Sequence, residues 1–304
     1  MEIRLTAQLL GEGFSADELH RLRRSGQLDR VRRGAYAPPA GDSTPEEAHR
    51  RLVAAVLTQR STETVASHIS AAVLHGLPVW RQSLGAVHLT RPRTGGGRVR
   101  GGCVLHTSPL RPADVVTLDG LRVTSLARTV ADLARTLPLD QAVAAGDAAL
   151  RRGLPVPEVL AVLERCRGWP GVGQARRTAG LLDARSESVG ESCSRVRMHE
   201  AGLPVPVPQY EVYDGRGQLV GRADFGWEEQ RVLGEFDGRV KYGRLLRPGQ
   251  TVEEVVYREK LREDALRDLG WRVVRWTWAD VFPGHVLVSR LSRAFGLGSS
   301  TRHL

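Results

Sequence analysis

LVGRADFGWEEQRVLGEFDG, residues 219–238, is the stretch that decides the fold. Leu219 to Phe225 and Arg231 to Phe236 read as two strands joined by a short polar turn. Upstream, Gln209 to Tyr213 followed by Asp214-Gly215-Arg216-Gly217 supplies the first arm of a hairpin with Leu219 to Phe225. Helical spacing predicts one helix before this sheet, over Glu187–Ala201, and one after it, over about Val252–Leu269, with Leu261, Ala265 and Leu266 directed inward. The expected order over this stretch is αβββα.

In that frame Asp224 and Glu235 end adjacent strands, and Asp237 shares a strand face with Glu235. Carboxylates so placed suit a hard divalent cation, Mg2+ or Mn2+, which prefers a few oxygen ligands together with water and a substrate phosphate. Such an ion would stabilise phosphorane charge and activate water. Asp224, Glu235 and Asp237 are therefore the candidate metal ligands. Asp224, Glu235, Glu191 and Lys241 form the candidate catalytic set, with Glu191 at the start of the preceding helix. The chain holds two lysines, Lys241 and Lys260, against 42 arginines, and lysine alone of the two types can be tuned to release a proton near neutral pH. A competing reading of the same residues is an acidic strand-end network paired with Arg222, Arg239 and Arg262, with no turnover.

Working outward, Ser15-Ala16-Asp17-Glu18 is a capping box that opens a helix carrying Leu19 and Leu22 inward and Arg21, Arg23 and Arg24 outward. The helix stops near Gly26, and Leu28 to Tyr36 reads as a strand pair forming a wing. Arginines dominate this stretch, so Arg21, Arg24, Arg30, Arg32 and Arg33 are candidate DNA contacts, joined by Lys260 and Arg262 near the C-terminal site. Thr44-Pro45-Glu46-Glu47 opens a further helix through Leu57. A helix over about Ser67–His75, strands at Ala86–Thr90 and Cys103–His106, a hairpin over Val115–Ser125 and helices over about Leu126–Arg185 follow. His68, His75, His88 and His106 lie near apolar runs without ligand spacing, which favours packed histidines over a metal site.

The 304 residues suit two or three modules: a winged-helix module at 1–40, an α/β middle domain at 41–186 and a restriction-endonuclease-like domain at 187–304, α/β locally and α+β overall. A formal charge of +10 fits a polyanionic partner. No apolar run reaches the roughly 20 residues of a membrane span and no secretory leader opens the chain, so the expected location is the cytoplasm. Cys103, Cys166 and Cys193 have neither disulfide nor zinc spacing.

Gly13-Phe14-Ser15, Arg24, Gly26-Gln27-Leu28 and Arg33-Gly34-Ala35-Tyr36 resemble the winged helix of AbiEi-type antitoxins of type IV toxin–antitoxin systems. Residues 66–77 and 123–133 are similar to the second domain of those proteins. From Ser188 on, Gly190-Glu191-Ser192, Arg222 to Phe225, Gly234 to Gly238, Lys241, Glu259 to Glu263 and Gly270 to Trp276 resemble a nuclease-like domain related to very-short-patch repair endonucleases of the PD-(D/E)xK superfamily. In that superfamily the lysine stands two residues after the glutamate, where this chain has Asp237; Lys241 is the natural substitute. The resemblance implies an αβββαβ domain and a Mg2+-dependent DNA endonuclease acting in phage defence or DNA repair. The rival expectation is a non-catalytic, antitoxin-like transcriptional autoregulator with a cognate toxin as partner. A third is a defence-associated protein acting on RNA.

Overall fold

The computed structural model describes residues 2–60, 63–92, 96–238 and 252–297. It is a mixed α/β chain in two compact units, Met1–Gly180 and Leu181–Leu304.

The first unit opens with β1 (Arg4–Leu5), α1 (Thr6–Gly11), α2 (Ala16–Arg24), β2 (Asp29–Arg32) and β3 (Ala35–Ala37), in a small sheet of order β1-β3-β2. The capping box of α2 is formed as expected: Ser15 Oγ accepts from Glu18 N at 3.1 Å while the Glu18 carboxylate accepts from Ser15 N. Two residues, Arg33 and Gly34, turn β2 into β3, and Gly34 sits at φ +80°, which a side chain would strain. This turn does not stand free. Gln59 Nε2 donates to Arg33 O at 3.0 Å, Thr6 N donates to Gly34 O at 3.1 Å, and Arg51 Nη2 donates to Asp29 at 3.2 Å.

Gln59 and Arg51 belong to the next segment: α3 (Pro45–Thr58) with its C-cap, then β4 (Val65–Ala66), α4 (His68–Leu74), β5 (Val87–Arg91), β6 (Arg98–Arg100), β7 (Cys103–Thr107), β8 (Val115–Leu118) and β9 (Leu121–Thr124). These strands form a mixed sheet of order β6-β7-β5-β4-β9-β8. Val53, Val56, Ala66, Ala71, Val87, Leu89, Cys103 and Val123 make its core, and α5 (Leu126–Thr136), α6 (Leu139–Arg151), α7 (Val156–Arg165) and α8 (Val172–Leu181) complete the run.

In the second unit, α9 (Val189–Glu200) precedes β10 (Val207–Tyr213), β11 (Leu219–Trp227) and β12 (Val232–Asp237), then α10 (Val252–Asp268), β13 (Arg272–Thr277), α11 (Trp278–Val281) and α12 (His285–Ala294). The sheet order is β10-β11-β12-β13; the first three strands are antiparallel and β13 runs parallel to β12, so α10 is the crossover that a parallel pair requires. Val212, Ala223, Leu233, Leu266 and Trp271 pack as one core cluster, and Phe225 stacks on Trp276 at 5.5 Å between ring centres. Gly190 and Gly234 are glycines because aromatic rings occupy the place of a side chain: Phe236 lies over the first, Trp276 and Trp227 over the second. One inward expectation fails. Leu261 is exposed, because charged residues of α10 rather than Leu261 face the strands at that level.

Candidate functional site

Two groups of residues carry the functional question, one in each unit. On the first, Arg21, Arg23, Arg24, Arg30 and Arg33 are all exposed, and none makes an ion pair among the described residues. Of the nearby carboxylates, Glu12 pairs with Arg4, Glu18 caps its own helix, and Asp29 is taken by Arg51 and by Ala40 N, while Asp17 stands exposed in the first turn of α2. Arg32 is half-buried, and its Nη1 is a buried donor with no partner. A shallow groove of about 500 Å³ runs along Glu18, Arg21, Leu22, Arg24, Ser25 and Gln27. The result is a surface shared by α2 and the hairpin on which exposed arginines outnumber carboxylates.

In the second unit the four expected carboxylates fall on the expected elements, and each has a partner. Asp224, on β11, accepts from Phe236 N at 2.7 Å, taking the place of the next ladder acceptor after the Phe225–Gly234 pair. Glu191 is buried in the first turn of α9, where its carboxylate accepts from Glu187 N (2.8 Å), Ser188 Oγ (2.7 Å) and Gln209 Nε2 (2.9 Å). Glu235, on β12, gives one oxygen to Arg262 Nη2 at 2.6 Å and the other to Arg275 Nε at 2.8 Å. Asp237 closes β12 and has interactions of its own. Lys241 and Arg239 lie outside the described residues.

Arg275 is a residue that sequence reasoning did not single out. It stands opposite Glu235 in the parallel β12–β13 register and also reaches Glu259 at 2.7 Å and Glu263 at 2.6 Å. Arg262 closes the lattice through Glu259 at 2.5 Å. The hydrogen bond from Arg262 holds the Glu259 carboxyl below its usual range, and the same contact raises the guanidinium further above its own. Of the other expected contacts, Lys260 is exposed and Arg222 pairs with Glu187 at 3.1 Å.

A divalent cation needs free carboxylate oxygens. As placed, Glu235 and Glu191 have theirs occupied, and no group of three His, Cys, Asp or Glu side chains among the described residues is arranged to hold a metal. The described residues do not fit the ion in this arrangement.

Three of the four histidines expected to pack, His68, His88 and His106, meet, the first buried and the other two half-buried, while His75 Nε2 lies 2.8 Å from Thr124 O. His68 stacks on His106 at 3.7 Å between ring centres, and His88 Nδ1 lies 3.1 Å from His106 Nε2. Burial, then the neighbouring histidines, bring His68 and His106 down to about 3. Beside them Asp132, fully buried, binds Arg128 Nε at 2.9 Å and Arg135 Nη1 at 3.3 Å, and both guanidiniums lie over Trp169. These are core groups, as the sequence suggested for the histidines.

Residues 5–39, which hold α2 and the hairpin, are similar to the family described as Transcriptional regulator, AbiEi antitoxin. The chain as a whole belongs to the family that includes two uncharacterized Mycobacterium tuberculosis proteins, MT2308 of strain CDC 1551 / Oshkosh and Rv2248 of strain ATCC 25618 / H37Rv. Each is 30% identical over 273 residues, 89% of this chain and 93% of the relative. Among solved structures, that of the RV2827C protein from Mycobacterium tuberculosis aligns over 70% of this chain and 84% of its own, at 16% identity and a TM-score of 0.40. No described helix is long and apolar enough to cross a membrane.

Proposed function

We propose that this protein is a DNA-binding transcriptional regulator of the antitoxin type, acting in the cytoplasm and carrying a cognate toxin as its protein partner. The observation that carries the reading is the set of exposed arginines on α2 and the β2–β3 hairpin that make no ion pair among the described residues, within the segment that matches an antitoxin regulator family. Such a surface binds phosphates by releasing condensed counterions, and α2 is short enough to lie across a groove while its arginines contact the backbone.

Arg21→Ala, Arg24→Ala and Arg30→Ala combined should weaken binding to the protein's own promoter fragment by about 10–100-fold at moderate salt. The slope of log K against log salt should flatten by about 0.9 for each phosphate that is no longer neutralised. An unchanged affinity and slope in fluorescence anisotropy would remove α2 and the hairpin from the footprint.

A second reading, metal-dependent phosphodiester hydrolysis by the second unit, is favoured by the αβββαβ order that places Asp224 and Glu235 on adjacent strands. It asks for an arrangement of Glu235 other than the arginine-bound one. Supercoiled plasmid incubated with Mg2+ or Mn2+ should be nicked by the wild type and spared by the Asp224→Ala, Glu235→Ala double variant; an intact plasmid in both leaves the regulator as the whole function.

A further inference from the structure

The mismatch between the carboxylates of the second unit and a divalent cation has a definite structural source. Both oxygens of Glu235 are claimed, Oε1 by Arg262 and Oε2 by Arg275. The two guanidiniums are fixed from elsewhere as well. Arg275 spreads its three nitrogens over Glu235, Glu263 and Glu259, and Arg262 is anchored by Glu259 and packs along Gly221. Arg262 and Glu235 are mostly shielded from water, with side chains 24% and 16% exposed, so this pair is the less screened one, while Arg275 at 40% reaches its carboxylates from a more exposed position. Planar forks matched to carboxylates give the strong form of this contact. A metal would have to approach to about 2.0–2.1 Å, well inside the space that either guanidinium now fills.

We infer that Arg262 and Arg275 act as an internal cation that keeps divalent metal away from Glu235, so that in the free protein this carboxylate is closed to metal by its own chain. The inference rests on the geometry of the second unit, not on hydrolysis taking place there. Neither guanidinium can be titrated away at any accessible pH, since their carboxylate contacts only raise their proton affinity. What can compete for them is another anion, and a phosphodiester backbone is one that guanidinium forks suit. A closed site of this kind separates metal binding from the resting state of the molecule.

The test is a Mn2+ titration of the full chain without nucleic acid, by calorimetry and by the loss of the free-ion electron paramagnetic signal. The wild type should show no saturable binding that Glu235→Gln removes. The double variant Arg262→Gln, Arg275→Gln should gain a saturable site at least about tenfold tighter than any wild-type binding, and adding Glu235→Gln should abolish it. A charge-matched control on the same helix, Arg258→Gln with Arg267→Gln, should gain no Glu235-dependent site. Arg275→Lys, which keeps the charge and removes the fork, is the milder variant should the double one unfold; it should give a weaker gain of the same kind. Glu235-dependent binding in the wild type, a folded Arg262→Gln, Arg275→Gln or Arg275→Lys variant without gain, or an equal gain in the charge-matched control would overturn the inference. Plasmid cleavage is read separately, so a protein that never cuts DNA leaves this result intact.

Discussion

Asp132→Ala is expected to lower the stability of the first unit by about 3–5 kcal/mol, a Tm drop of roughly 10 °C for a unit of this size. Asp132 is fully buried on α5 and receives Arg128 Nε and Arg135 Nη1. Arg128 is itself 2% exposed and is held further by Pro109 O, Ser108 Oγ and the Asp114 carboxylate. Burial pushes the Asp132 carboxyl up while Arg128, the next influence, pulls it down, so the two charges stand or fall together. Removing the acid takes from the buried Arg128 Nε its acceptor and leaves Asp114 to balance that charge, while Arg135 loses its carboxylate as well. Asp132→Asn, which keeps volume and one acceptor, should cost less. An Arg167→Ala control, breaking an exposed pair with Glu164, should leave the Tm unchanged. Thermal unfolding followed by circular dichroism orders the three; equal Tm values for Asp132→Ala and Arg167→Ala would mean the network is dispensable.

The second large effect is acid lability of the same unit. Histidine in an unfolded chain titrates near 6.5. With His68 and His106 held near 3 by burial, the unfolded chain takes up protons that the folded one refuses, so stability is complete above about pH 6.5 and falls as pH drops from there towards 3. Each histidine contributes about 1.4 kcal/mol per pH unit in that window. At pH 4.5 the pair removes about 3–5 kcal/mol, His106 less than its limit because it is partly exposed. His88, also lowered, acts in the same direction. Asp132, raised by burial, acts in the opposite one and offsets part of the loss. Urea midpoints measured from pH 7.5 to 4.5 should fall steeply below 6.5; a flat profile would show that the stacked rings take up protons without unfolding.

What could be read in the sequence was chemistry confined to neighbours. The capping boxes at Ser15–Glu18 and Thr44–Glu47 formed as written, because each needs four consecutive residues. The hairpin over Val115–Ser125 likewise announces itself through Asp119-Gly120, both at positive φ. The strands β1 and β6 escaped notice: two or three residues become a strand only when β3 or β7 lies alongside. In the second unit α9, β10, β11, β12 and α10 were legible from their periods while α11 and α12 went unread, and Asp224, Glu235 and Glu191 fell on the elements expected. Of their partners, Arg262 was among those the sequence offered and does pair with Glu235, whereas Arg275 was not. Glu235 meets Arg275 across forty positions of chain, through a parallel register that no local pattern encodes. The expected pairing of Arg222 went instead to Glu187. In the first unit the three histidines meet only because β5 and β7 run side by side, bringing His88 and His106 together.

The tight turn at Arg33–Gly34, tied down by Gln59 and Thr6, bears on the thermodynamics of any complex the hairpin makes. A wing that hangs in solvent gives up conformational freedom when it docks, and that cost subtracts from affinity. Here the cost has already been met during folding, so the backbone amides of the central strand, residues 35–37, should exchange slowly with solvent before nucleic acid arrives and gain little protection afterwards. Association would then be a meeting of preshaped surfaces, its rate governed by charge and ionic strength rather than by loop ordering.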